Sequence, residues 1–89
     1  MVKQELTILN SSGLHARPAA TLVKLASRFN SKIYLQKDGL EVNAKSIMGV
    51  MTLAAEKGSK ILIIADGKDE KEALKQLIKL IKNKFCEEN

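Results

Sequence analysis

The chain has 89 residues, 45% of them apolar and 28% charged, and carries a formal net charge of +5. Its length suits one compact domain spanning 1–89 and no sensible second one, and its composition excludes an intrinsically disordered chain. The positive balance favours acidic partners and phosphate groups, while the only aromatics, Phe29, Tyr34 and Phe85, are too few and scattered to stack bases.

Met1 leads into Val2-Lys3-Gln4-Glu5 with no long apolar run behind it, which predicts neither a secretory leader nor a membrane span. Val2 to Ile8 reads as a strand, with Val2, Leu6 and Ile8 on one alternating face. A polar turn follows, Asn10-Ser11-Ser12-Gly13. Ala19, Leu22, Val23, Ala26 and Phe29 then recur at spacings of three and four, the stripe of an amphipathic helix. Pro18 fits the first turn of that helix, where its missing N–H costs little, so the helix begins at about Ala16 with His15 at or beside the N-cap.

Lys32 to Lys37 alternates apolar and polar residues, Asp38-Gly39 signals a tight turn, and Leu40 to Asn43 reads as the returning strand. Ser46 stands as N-cap before a short helix over Ile47 to Leu53. Gly58 and Ser59 break the chain ahead of Lys60 to Ala65, whose nearly continuous apolar run predicts a central strand. After Asp66-Gly67 comes the last helix. Asp69 and Glu72 form its capping box, and Leu74, Leu77, Ile78, Ile81 and Phe85 its buried stripe. Cys86, the single cysteine, cannot make an internal disulfide and lacks the Cys/His partners of a metal site. It reads as an incidental thiol in a reducing, cytosolic setting.

The predicted order is β-α-β-β-α-β-α, an α+β fold of two layers, with helices on one face of an antiparallel sheet and the other face left partly to solvent.

Helix N-termini carry partial positive charge and unpaired N–H groups, so acidic residues are favoured there. The last helix obeys, with Asp69, Glu70 and Glu72 in its first turn. The first opens His15-Ala16-Arg17-Pro18 and the second Lys45-Ser46-Ile47-Met48, neither with an acid. Each mismatch costs only ~0.3–1 kcal/mol, which a fold tolerates. It disappears altogether if the sites receive an anion, because a phosphoryl group is stabilised by free N–H groups and by the helix dipole. An imidazole is a nitrogen nucleophile, and the guanidinium of Arg17 offers a planar fork suited to phosphate oxygens. A lone histidine is by itself a weak signal, which Gly13, Arg17 and Pro18 strengthen. Ser46 has the simpler role of N-cap, with phosphorylation structurally comfortable at the same place.

Gly13-Leu14-His15-Ala16-Arg17-Pro18-Ala19 resembles the phosphorylation motif of HPr, the histidine-containing phosphocarrier family of the bacterial sugar phosphotransferase system. Asn43-Ala44-Lys45-Ser46-Ile47-Met48-Gly49-Val50-Met51 resembles the second motif of that family in its Firmicutes-type form. The likeness extends over the whole chain in length, element order and motif spacing. It implies an open-faced β-sandwich with sheet order 1-4-2-3. It also implies a stoichiometric carrier rather than an enzyme, needing no cofactor or metal. His15 would accept phosphate at Nδ1 from enzyme I, charged by phosphoenolpyruvate, and donate it to enzyme IIA domains. Arg17 would stabilise the phosphoryl group, with Ser12 and Ala16 beside it. Ser46 would be phosphorylated by HPr kinase/phosphorylase, slowing phosphorylation at His15 and promoting binding to a catabolite-control transcription factor.

A carrier reached by several partners needs an exposed nucleophile ringed by contact surface. Ala16, Ala20, Ile47, Met48 and Met51 are expected to supply an apolar patch, with one of the two methionines packing inward. Arg17, Lys24, Arg28 and Lys45 are expected to supply a positive rim. The competing class is a small basic nucleic-acid-binding domain, whose mark would be affinity that falls steeply with salt.

Overall fold

A computed structural model describes residues 1–86, with side chains placed through Phe85; the thiol of Cys86 and the last three residues lie outside the described part. Strand β1 (Val2–Thr7) is followed by helix α1 (Ala16–Ala26), the hairpin β2 (Lys32–Lys37) and β3 (Leu40–Asn43), helix α2 (Ile47–Thr52), β4 (Lys60–Asp66) and helix α3 (Glu70–Lys82). The four strands form one sheet in the order β1-β4-β2-β3, and every neighbouring pair is antiparallel. β4 is central because it can be: its side chains find cover on both faces. Ile61, Ile63 and Ala65 are buried, and so is Ile64 on the opposite face, which register sets between Lys3 of β1 and Tyr34 of β2.

The core lies between the sheet and the helices. Ile8, Leu22, Ile33, Leu35, Val50, Ile61, Ile63, Leu77 and Ile81 are all fully buried. Each such side chain is worth about 1.5–3 kcal/mol relative to exposure, so this layer rather than helix propensity holds the small domain together.

The last helix differs from the expected capping pattern. Asp69 occupies the N-cap position, but its carboxylate makes no cap bond within α3. It accepts instead from the backbone N–H of Asn30 (2.8 Å), the N–H of Ser31 (2.9 Å) and the hydroxyl of Ser31. The residue therefore ties the start of α3 to the lead-in of β2. Glu70 takes over the local role, accepting from the N–H of Gly67 at 3.0 Å and pairing with the N-terminal ammonium of Met1 at 3.0 Å. Glu72 accepts from Gln76 Nε2 at 2.7 Å rather than closing a capping box. Gly67 cannot be replaced freely, because a Cβ there would stand 2.6 Å from the Cα of Ser31.

The far end of α3 also differs. The helix stops at Lys82, and Phe85 reaches the core from a separate 3-10 turn, Lys84–Cys86, with φ of 58° at Phe85 itself. Burial of the ring, 4% exposed, offsets that unfavourable backbone conformation. Along α3 the fully buried positions are Ala73, Leu77 and Ile81, while Leu74 and Ile78 are half-buried at the edges of the stripe.

Candidate functional site

The loop leaving β1 is anchored before it reaches His15. Ile8 donates its N–H to Ser59 O and accepts from the N–H of Gly58, both at 2.8 Å. Asn10 is fully buried, and its Nδ2 donates to Ser12 Oγ at 3.1 Å and to Gly13 O at 2.8 Å. The N–H of Gly13 returns to Asn10 O at 3.2 Å, closing a tight turn. Gly13 has φ of +67°, and a Cβ there would come within 2.5 Å of Ala55 O. Only glycine meets both demands. Leu14, buried, then donates its N–H to that same carbonyl at 2.8 Å.

This double pin delivers His15 to the N-cap of α1 in extended conformation. Its carbonyl accepts the first helical hydrogen bond, from Ala19 at 2.9 Å, but its side chain makes no cap bond and is exposed. Pro18 has no N–H, so Ala16 and Arg17 are the residues beyond the cap whose N–H groups lack an intrahelical partner. The first turn holds no acid. The result is a helix start with positive character, a nucleophilic ring at its edge and the exposed Arg17 two residues on. A shallow depression joins His15 to Ser12, Leu14, Met51, Ala54, Ala55 and Glu56.

Of the expected apolar surround, Ala16, Ala20, Ile47, Met48 and Met51 are all exposed. Both methionines face outward, Met48 at 79% and Met51 at 42% exposure, which corrects the expectation that one packs inward. Val50 and Leu53 fill the inward positions instead, and a helix of one and a half turns has few others. Ile47 shares a shallow groove with Ala20, Thr21, Val23 and Lys24, so the start of α2 lies beside the middle of α1. Lys24 and Arg28 are exposed. Lys45 is half-buried, and its ammonium donates to the carbonyl of Phe29 at 2.7 Å; the structure draws it inward as a brace between loops.

Ser46 caps α2 as expected: its Oγ accepts from the N–H of Gly49 at 3.1 Å. The turn before it is fixed by Asn43, whose Oδ1 accepts from the N–H of Lys45 at 2.8 Å and whose carbonyl accepts from the N–H of Ser46 at 3.1 Å. Ala20 and Lys24, which flank Ile47, lie roughly 7 and 13 Å along the α1 axis from His15 by the helical rise. The serine and histidine sites are thus separate helix starts facing one shared surface.

Two residues that sequence patterning passes over belong to this region. Asn10 reads as a solvated turn residue but is the buried anchor of the His15 loop. Ala54, beside His15, has φ of 50°, a left-handed conformation unfavourable for a residue with a Cβ. Among the described residues, no group of three or more His, Cys, Asp and Glu side chains could hold a metal ion, and no helix is long and apolar enough to cross a membrane.

A family profile described as the PTS HPr component phosphorylation site matches residues 2–83. The phosphocarrier protein HPr of Treponema pallidum is 52% identical over 88 residues, covering 99% of this chain and 100% of that protein. A crystal structure of HPr from Thermoanaerobacter tengcongensis superposes with a TM-score of 0.96 at 49% identity, with full coverage of both chains. The solution structure of Crh, a catabolite repression HPr from Bacillus subtilis, gives a TM-score of 0.67 at 49% identity, covering 90% of this chain and 95% of that one.

Proposed function

Since this chain belongs to the HPr family and is a phosphocarrier of the sugar phosphotransferase system, with enzyme I and enzyme IIA as the partners that the family implies, we propose that His15 carries the phosphate. A lone pair on the His15 imidazole, at Nδ1, attacks the phosphorus of phosphohistidine on enzyme I. The old P–N bond breaks as the new one forms, the donor imidazole takes up a proton in place of the one that the His15 ring gives up, and no redox change occurs. Such transfer needs chiefly positioning and charge stabilisation. The N–H groups of Ala16 and Arg17 and the Arg17 guanidinium supply the stabilisation, with Ser12 alongside. The P–N linkage stays reactive, so an enzyme IIA domain can then accept the group.

The single observation that carries this reading is the helix start itself: an exposed His15 whose side chain does not cap α1, before a first turn free of acids. Support for the contact surface comes from the exposure of Ala20, Lys24, Arg28, Ile47, Met48 and Met51 around it. In this reading residues 1–89 act as one domain, in the cytoplasm, without membrane insertion or direct contact with nucleic acid. Incubation with phosphoenolpyruvate and enzyme I is expected to add one acid-labile phosphate. Labelling that persists in His15→Ala sinks the assignment.

A second role rests on Ser46. A phosphoryl group on its Oγ would keep an acceptor oxygen near the N–H of Gly49, replacing a neutral cap by a dianion at a positive helix end. Charge and bulk there would alter the surface that Ile47 shares with Ala20 and Lys24, slowing transfer from enzyme I and creating a site for a catabolite-control transcription factor. HPr kinase/phosphorylase is the proposed modifying enzyme. Its phosphate survives acid, unlike that on histidine. Failure of the kinase to label wild-type protein any more than Ser46→Ala removes this role.

A further inference from the structure

Glu56 brings an acid to the edge of a site that otherwise gathers positive character. The N–H of Leu14 donates to Ala55 O at 2.8 Å, so His15 follows one partner of that bond and Glu56 follows the other. The backbone of Glu56 packs on the turn before His15: its Cα lies 2.9 Å from where a Cβ on Gly13 would stand. Its N–H donates to Ser59 Oγ at 3.0 Å, and its carbonyl accepts from the N–H of Ser59 at 2.9 Å. Glu56 is exposed, lines the same shallow depression as His15, and enters no ion pair among the described residues. We propose that Glu56 tunes the transfer potential of the carrier: its carboxylate opposes the charge of the phosphoryl group on His15, so that the loaded form gives the group up more readily. This rests on the reading that His15 carries the phosphate.

Like charges set the sign. A carboxylate is ionised at neutral pH, and a phosphoryl group carries close to two negative charges there. The side chain of Glu56 is short and starts from a Cα fixed beside the turn. Its charge therefore stays within roughly one Debye length, ~10 Å at 0.1 M salt, of a group on His15. Glu56 and His15 are both exposed, so the repulsion acts through water and is modest. Modest is what a relay needs. The Arg17 guanidinium and the N–H groups of Ala16 and Arg17 hold the phosphoryl group, while a carboxylate nearby keeps the loaded state from becoming too stable to unload.

A glutamate that merely touched enzyme I would act differently. A contact made only in the complex changes the rate of exchange and leaves the free species unaltered. Charge tuning changes the equilibrium constant itself.

That constant is the test. Wild type, Glu56→Gln and Glu56→Lys are each brought to equilibrium with phosphorylated enzyme I at neutral pH and low salt, dilute enough that the two proteins are apart. The loaded fraction is read by mass without acid. The constant for loading is expected to rise about twofold in Glu56→Gln and about fivefold in Glu56→Lys, with both gains fading in about 1 M salt, where the Debye length is about 3 Å. Both substitutions keep the backbone bonds to Ser59. An equal constant in all three proteins, a change in rate alone, or a gain that persists at high salt overturns the proposal. Labelling that persists in His15→Ala overturns both this inference and the reading beneath it, whereas labelling confined to His15 with an unchanged constant removes only the role of Glu56.

Discussion

The starts of α1 and α3 are built from the same backbone and answer the same electrostatic demand in opposite ways. At α3 the positive end is satisfied from within: Glu70 accepts from the N–H of Gly67, and Glu70 and Glu72 occupy the first turn. Asp69 adds three hydrogen bonds from Asn30 and Ser31. The hydroxyl of Ser31 and the N–H of Asn30 hold the Asp69 carboxyl below its ordinary value of 3.8, and the N–H of Gly67 with the Met1 ammonium do the same for Glu70. At α1 the first turn holds no acid, and the cap residue makes no side-chain cap bond. In the proposed reading, the difference is that between a helix end serving the fold and one kept for an external anion. α2 stands between them, capped by the neutral oxygen of Ser46, which the proposed phosphorylation would charge.

The sharpest way to break the contrast is to displace the α1 start. Gly13→Ala forces a Cβ to 2.5 Å from Ala55 O at a positive φ. The expected loss is about 2 kcal/mol or more in denaturant unfolding, together with impaired phosphotransfer, since His15 moves with the turn. At α3 the corresponding test is Asp69→Asn. A carboxyl with a lowered folded pKa stabilises above its ordinary value, and that contribution is lost as pH falls through the lowered folded value. The Asp69→Asn variant is therefore expected to melt below wild type at pH 7, with the gap closing on acidification below the ordinary aspartate range. A gap independent of pH contradicts the assigned role.

Ala16→Glu gives α1 the acid that α3 already has. Thermal unfolding is expected to show a gain of about 0.3–1 kcal/mol without phosphate, while transfer from enzyme I falls about tenfold, the equivalent of ~1.4 kcal/mol at the transition state. Opposite signs for stability and transfer are the point; a fall in both marks simple damage. The smallest effect is expected for Ala54→Gly, which relieves the left-handed conformation at φ 50° and offsets it partly with backbone entropy. A net gain of about 0.5–1 kcal/mol in unfolding free energy is expected.

The same contrast explains what was legible in the sequence. Apolar periodicity and turn residues locate β1, the β2–β3 hairpin, α2, β4 and the starts of α1 and α3 within a residue or two, because those signals are local, while the apolar stripes read for α1 and α3 run three residues past the observed helix ends, to Phe29 and Phe85. His15 at the N-cap of α1 and Ser46 at that of α2 follow from Pro18 and from the serine itself. The Asp69 pairing escapes such reading, since its partners lie 38 and 39 residues away and an acid at a helix start has a local explanation ready. Phe85 keeps the apolar spacing of α3 yet arrives from a separate turn, because burial of the ring outweighs the backbone cost. Met48 and Met51 read as contact surface with one of the two packing inward; that both lie outside is decided by where α2 rests on α1. Asn10 and Ala54 matter through burial and backbone geometry, and the only hint of the former is an Asn three residues before a Gly.

The central claim, that the start of α1 is kept for an anion carried on His15, is tested most directly by backbone amide shifts recorded before and after phosphorylation by enzyme I. The N–H protons of Ala16 and Arg17 are expected to move strongly downfield, while that of Gly67, at the self-satisfied start of α3, stays in place. Unmoved Ala16 and Arg17 amides in fully phosphorylated protein would contradict the account.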